Sequence, residues 1–158
     1  MNPDLKRRLL LVLEWTCRLL VAGTFLLAAV PKLLDPVSFA KAIVNYRVIL
    51  PLIGQGHVYP AASFMPALEA IGALALLFNR WRRAGSLVCG ALLMLFIVLI
   101  GQAVIRGLNI DCGCFGSGAV SRTLGQKVGL EKILENTLWL AACVFVWARA
   151  RKSENLKI

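Results

Sequence analysis

The sequence predicts an all-α integral membrane protein, a four-helix bundle with both termini in the cytoplasm. Of the 158 residues, 59% are hydrophobic, and the mean hydropathy of +0.75 exceeds that of a soluble domain. The apolar residues form blocks long enough to cross a hydrocarbon core of about 30 Å, which takes about 20 helical residues. Basic residues cluster at the ends of these blocks. We therefore expect residues 1–158 to form a single membrane domain.

The first span is predicted at about residues 9–30, and a short interfacial helix is predicted after it. The span is too long for a secretory signal peptide and lacks a small-residue cleavage site, so we expect it to be retained. It should end at "PKLLDP", because Pro31 and Pro36 interrupt a helical backbone. Residues 37–50 mix basic with large apolar side chains, a pattern typical of a helix lying in the membrane interface.

Three further spans follow along the chain. The second and third, about residues 61–78 and 84–105, flank the basic turn "NRWRR" and predict a hairpin. The fourth, about residues 130–148, has polar first turns, so it either begins in the headgroup region or packs its polar side inward. Residues 106–129 form the loop between the third and fourth spans.

The distribution of positive charge predicts the orientation of the chain. The net charge is +10, and ten of the 18 basic residues lie in the two terminal tails and the short second loop. Short cytoplasmic segments retain Lys and Arg, so these three segments are predicted to be cytoplasmic and loop 106–129 exoplasmic. The basic residues do not share an amphipathic face with interleaved aromatics, which argues against nucleic-acid binding. The ten residues are Lys6, Arg7, Arg8, Arg80, Arg82, Arg83, Arg149, Arg151, Lys152 and Lys157.

The exoplasmic loop carries Cys112 and Cys114 within "NIDCGCFGSG". A disulfide needs Cα atoms within about 7 Å, and Gly113 permits the backbone bend that brings two such close residues together. The ring would close almost no loop, so it would contribute little stability, and its strain would make it labile. Disulfides form and persist on this side of the membrane. The pattern predicts reversible thiol–disulfide exchange, with Cys112 and Cys114 as the catalytic pair.

Two other interpretations of the pair stay open. Two thiolates are half of a usual soft-metal site for Cu(I), Zn or Hg, and His57 is the obvious third ligand. In the third interpretation the pair is a local structural disulfide or two unreactive thiols, and the protein is an assembly factor that catalyses no reaction. The other cysteines, Cys17, Cys89 and Cys143, lie inside the spans, where a thiol usually serves as a small apolar core group.

Ionisable residues within the spans form a second candidate site. Glu14 and Arg18 lie four residues apart on one helical face and are able to pair. Glu69 lies inside the second span, where a carboxylate is costly unless it is partnered, protonated or next to water. Lys32 and Arg18 are its candidate partners. These three side chains either form a polar site that holds a proton or a quinone head group, or include a structural ion pair that locks the first two spans.

Three stretches of the chain resemble a known family. They are "GTFLLAAVPKLLDPVSFAKAIVNY", "MPALEAIGALALLF" and above all "DCGCFG". They resemble the MauE family, within the wider group of DoxX-like small membrane proteins, and the likeness covers roughly residues 18–147. Members of the MauE family are implicated in maturing the disulfide-rich small subunit of methylamine dehydrogenase in the periplasm.

The resemblance implies a site, a location and partners. It implies periplasmic thiol–disulfide chemistry at Cys112 and Cys114, in a multi-pass protein of the bacterial inner membrane. The implied partner is a periplasmic thioredoxin-like or disulfide-rich protein. Four-span thiol oxidases of the DsbB and VKOR types have two cysteine pairs, whereas this sequence has one exoplasmic pair. The second dithiol must therefore come from a soluble partner, or the pair must meet a quinone directly.

Overall fold

A computed structural model of the chain describes residues 3–45, 57–107 and 130–155, and all regular structure within these ranges is helical. Four of the helices are long and apolar enough to cross a membrane. The predicted all-α membrane bundle of four spans is therefore confirmed. The helices are α1 (Pro3–Leu34), α2 (Pro36–Asn45), α3 (Val58–Leu77), α4 (Arg82–Ile105) and α5 (Leu130–Asn155).

The four long helices form a closed antiparallel ring in the order α1, α3, α4, α5. Neighbours along this order pack closely, and the seam between α5 and α1 closes the ring with the sparsest packing of the four. One end of the bundle contains the start of α1, the turn between α3 and α4, and the end of α5, and we call it the basic end. The other, which we call the loop end, contains the end of α1, the starts of α3 and α5, and the end of α4.

Each long helix has an inward stripe and an outward apolar face. On α5 buried residues recur three or four positions apart, as in Cys143, Val146 and Ala150. Large apolar side chains point outward, with Leu27 of α1 70% exposed and Leu134 of α5 71% exposed. A soluble domain would not display this much apolar surface, so the outward faces contact lipid.

The first helix does not end at Val30 as the prolines predict, because Pro31 lies within it. A proline in a helix removes its own N–H donor but leaves its carbonyl free to accept. The carbonyl of Pro31 accepts from the backbone N–H of Asp35 at 3.1 Å, so the helix runs on to Leu34. This additional turn carries Lys32 into the interior of the bundle.

The short helix α2 begins at a side-chain cap and covers the start of α3. The carboxylate of Asp35 accepts from the backbone N–H of Ser38 at 3.0 Å, which satisfies a donor at the helix N-terminus. Hydrogen bonds from the Ser38 side chain and backbone hold the pKa of Asp35 below its usual range. Phe39 of α2 is buried in an apolar cluster with Val58 and Ala62 of α3. The predicted helix between the first two spans is therefore present, packed on the bundle.

Helices α3 and α4 approach closely because a glycine stands at their contact. A Cβ atom at Gly85 would lie 2.5 Å from the backbone nitrogen of Leu76 and 2.8 Å from the carbonyl carbon of Ala75. Neither backbone atom is able to move aside without shifting the helix. Small residues at such contacts allow membrane helices to pack backbone to backbone.

We expect Gly85→Ala to destabilise the bundle by about 1–3 kcal/mol, because the added methyl group forces α3 and α4 apart. The measurement is thermal unfolding of the purified protein in nanodiscs. Gly101→Ala on the same helix is the control, because no heavy atom lies within 4 Å of its added Cβ. Equal unfolding temperatures for the two variants would contradict this account of the hairpin.

Candidate functional site

A buried ion pair joins α1 to α3. The Nζ of Lys32 lies 2.7 Å from Oε1 and 3.0 Å from Oε2 of Glu69. Both side chains are about 1% exposed. Two of the three side chains predicted to form a polar site are thus in direct contact, and we call them the inner ion pair.

Aromatic rings surround the cation of the inner ion pair. The Nζ of Lys32 lies 5.0 Å from the centroid of the Phe39 ring and 5.2 Å from that of Phe96. A ring face within about 6 Å attracts a cation, most strongly where water is excluded. The ammonium group is therefore stabilised by its carboxylate partner and by rings from α2 and α4.

A cavity of about 40 Å³ lies beside the inner ion pair. All four long helices contribute to its walls, and most of the lining comes from α1 and α5, where the ring is least tightly packed. Besides the inner ion pair, the lining includes Thr24, Ala28, Leu93, Phe96, Asn136 and Trp139. The bundle therefore has an internal space next to a buried carboxylate.

The polar first turns of α5 pack inward, one of the two arrangements that their sequence allows. Lys132 and Asn136 are 7% and 8% exposed, and both line the cavity. The Nζ of Lys132 donates to Oε2 of Glu135 at 2.6 Å, and Nδ2 of Asn136 donates to the carbonyl of Lys132 at 2.9 Å. The spacing of four residues places Lys132 and Asn136 on one face of α5. The sequence does not indicate that this face lies opposite Glu69 of α3.

Arg18 does not join the inner ion pair, although the sequence suggests it as a partner for Glu69. It lies about 21 Å before Lys32 along α1, at about 1.5 Å per residue. Its guanidinium donates to the carbonyls of Leu76 and Leu77 at 2.6 and 2.8 Å, and to Oδ1 of Asn79 at 2.7 Å. These carbonyls lie at the C-terminus of α3, where a cation is favoured. Arg18 therefore fixes the helix end and is remote from the cavity.

Glu14 also finds partners that its position on α1 does not reveal. Its carboxylate lies 2.6 Å from Nη1 of Arg82 and 3.3 Å from Nε of Arg149. Its predicted pairing with Arg18 is replaced by these contacts with α4 and α5. The sequence places one acidic residue and several basic residues at the same end of the spans. It does not specify which of the basic residues pairs with the acidic one.

The predicted catalytic pair, Cys112 and Cys114, lies outside the described residues. The segment that carries it joins α4 to α5 and therefore starts and finishes at the loop end. Cys89 and Cys143 are buried in the apolar core, and Cys17 packs against it, as expected for small core groups. His57, the candidate third metal ligand, immediately precedes α3 and is exposed.

Comparison with known proteins gives one family. The family model described as methylamine utilisation protein MauE matches residues 10–149. The methylamine utilization protein MauE of Paracoccus denitrificans is 29% identical over 133 residues, covering 84% of this chain and 67% of the relative. The methylamine utilization protein MauE of Methylophilus methylotrophus is 38% identical over 97 residues, which cover 61% of this chain and 49% of the relative. The methylamine utilization protein MauE of Paracoccus versutus is 28% identical over 146 residues, which cover 92% of this chain and 76% of the relative. No solved structure matches.

We expect Lys32→Met to destabilise the protein by about 3–5 kcal/mol, because it leaves the Glu69 carboxylate buried without its cation. Combining Lys32→Met with Glu69→Gln should recover most of this loss, because neither side chain is then charged. Thermal unfolding of both variants in nanodiscs gives the comparison. Lys41→Met removes an exposed lysine on α2 and is the control. A double variant no more stable than Lys32→Met alone would contradict the pairing.

Proposed function

Because the chain belongs to the MauE family of methylamine utilisation proteins, we propose that this multi-pass membrane protein supports thiol–disulfide chemistry for a periplasmic partner. The reacting groups in this proposal are Cys112 and Cys114, and the membrane is the bacterial inner membrane. Its relatives are named methylamine utilization proteins, which supports a partner that acts in methylamine utilisation. In this proposal the disulfides of that partner are formed or rearranged.

The observation that carries the proposal is the difference in charge between the two ends of the bundle. The basic end holds the start of α1, the turn at residues 78–81 with the first turn of α4, and the end of α5, and each of these segments carries several Lys or Arg residues. Short basic segments stay in the cytoplasm, so the loop end is expected to face the periplasm. The cysteine segment is attached to α4 and α5 at this loop end. Its two thiols are therefore expected in the oxidising compartment.

The proposed chemistry is thiol–disulfide exchange with a soluble protein. A thiolate attacks one sulfur of the opposing disulfide, an S–S bond forms between the two proteins, and the other sulfur leaves as a thiolate. A second thiolate then resolves this mixed disulfide. Two electrons pass from the dithiol to the disulfide, and two thiol protons are redistributed. The partner supplies the second cysteine pair and is thioredoxin-like or disulfide-rich. Direct oxidation of Cys112 and Cys114 by a quinone stays a prediction.

We expect Cys114→Ser to trap a covalent adduct between Cys112 and the partner, because the resolving thiol is then missing. The measurement is acid-quenched alkylation of cells followed by non-reducing gels, which show both the redox state and the adduct. The protein carries Cys17→Ala, Cys89→Ala and Cys143→Ala, so that only the loop thiols react. The adduct should disappear on reduction and in Cys112→Ser/Cys114→Ser.

Two outcomes would contradict the redox proposal. A pair that stays fully oxidised in all growth conditions, with no adduct from either single serine variant, would favour a local structural disulfide. Stoichiometric Cu(I), Zn or Hg held by the reduced wild type and lost in Cys112→Ser would favour a metal-binding protein.

The orientation is tested separately by cysteine labelling from one side of the membrane. In a background in which the five native cysteines are replaced by alanine, we expect a membrane-impermeant maleimide to label His57→Cys in intact spheroplasts and to leave Arg80→Cys unlabelled until the membrane is opened. Both positions are exposed. His57 precedes α3 and Arg80 follows it, so they lie at opposite ends of one helix. The reverse pattern would place the cysteine segment in the cytoplasm.

A further inference from the structure

We propose that the cavity between α1 and α5 holds water, and that this water makes Glu69 the residue through which the bundle takes up and returns a proton. The site consists of the inner ion pair, Trp139 and the polar first turns of α5. The presence of water is independent of the proposed function, whereas the use of the Glu69 proton in thiol exchange rests on it.

The cavity has the room that water needs, and several polar groups stand on its largely apolar walls. A buried water needs about 10–15 Å³ of such space and two to four polar partners, so a cavity of about 40 Å³ accommodates a small cluster. Glu69, Lys132 and Asn136 supply polar groups on its walls. A dry cavity of this kind would be lined by apolar side chains alone.

The indole N–H of a residue that lines the cavity needs an acceptor. Trp139 lines the cavity, and its Nε1, like that of Trp147 elsewhere on α5, is buried without an acceptor among residues 3–45, 57–107 and 130–155. Buried polar groups are satisfied by protein or by ordered water in the great majority of structures. Water in the cavity supplies the acceptor that the described residues do not.

The cavity also connects the buried carboxylate with the surface. Glu69 lies on one side of it, and Lys132 and Glu135 of α5 lie on the other. The Lys132 side chain is 9% exposed and that of Glu135 is 42% exposed. The exposed carboxylate belongs to the first turns of α5, at the loop end. A proton is thus able to move between the loop end and Glu69 through water and polar side chains.

The Lys32 cation keeps stabilising contacts in both protonation states of Glu69. The charged or titratable groups that face it are Lys32 of α1, Lys132 and Glu135 of α5, and the Cys89 thiol of α4. When Glu69 is ionised, Lys32 neutralises it. When Glu69 takes up a proton, Lys32 remains a buried cation, and the Phe39 and Phe96 rings stabilise it.

Thiol exchange supplies a use for such a group. Each attack requires a thiol to lose its proton, and each departing thiolate later takes one up, so the number of protons is unchanged when exchange is complete. Glu69 holds one proton between these two events, and cavity water carries it. In this way an acidic residue inside the membrane assists sulfur chemistry at the loop end.

Hydration is tested without reference to thiol activity. The full-length protein is labelled with ¹⁵N-indole tryptophan in nanodiscs, and magnetisation exchange from water to each indole N–H is measured. We expect an exchange signal at Trp139 that Ala28→Phe removes by filling the cavity. The control Leu27→Phe enlarges the adjacent, lipid-facing residue and should leave the signal intact. A Trp139 indole without a water signal in the wild type would overturn the proposal.

The proton role is tested by the pH dependence of exchange between the loop cysteines and oxidised glutathione, in the background without the other three cysteines. The double variant Lys32→Met/Glu69→Gln removes both charges and keeps similar side-chain volumes. We expect its exchange rate to fall at least tenfold and to lose the pH dependence that Glu69 contributes. A folded double variant with the wild-type rate and pH profile would show that the pair is purely structural. Absence of exchange in the wild type would instead refute the thiol function, and the water signal would still decide hydration.

Discussion

A charge inside a hydrocarbon layer needs a partner within the protein, and this constraint organises the bundle. Each buried charged residue of α1 binds a different neighbour: Glu14 contacts α4 and α5, Arg18 contacts the end of α3, and Lys32 contacts Glu69 of α3. Lipid supplies no hydrophobic force between helices, so these contacts and the close approach at Gly85 define which helices are neighbours and at what register.

The same constraint makes the two ends of the bundle chemically different. At the basic end the Arg18 guanidinium donates to three oxygens, the carbonyls of Leu76 and Leu77 and Oδ1 of Asn79, so this contact serves as a structural lock. Towards the loop end the inner ion pair stands beside a cavity, and Trp139 keeps an N–H without an acceptor among the described side chains. The cysteine segment attaches to α4 and α5 at this same loop end.

Features that one helix alone decides are visible in the sequence. Local hydropathy and length predict the four spans, the short helix between the first two, and the burial of Cys89 and Cys143. The predicted end of the first span before Pro31 is wrong, because a proline is tolerated within a helix when the following residues still find acceptors. Arg18 is a wrong partner for Glu69, because the sequence of α1 does not reveal which residues of α3 lie beside each of its turns.

The class of protein, the family motif around Cys112 and Cys114, and the presence of charges within the spans are all readable from the amino-acid order. Three features depend on how the helices pack: Lys32 pairs with Glu69, Arg18 caps α3, and Asn136 and Trp139 border the same cavity. Hydropathy and periodicity are properties of single segments and therefore do not predict these contacts. The partner of a buried charge depends on the relative rotation and height of several helices, which emerge only when they pack together.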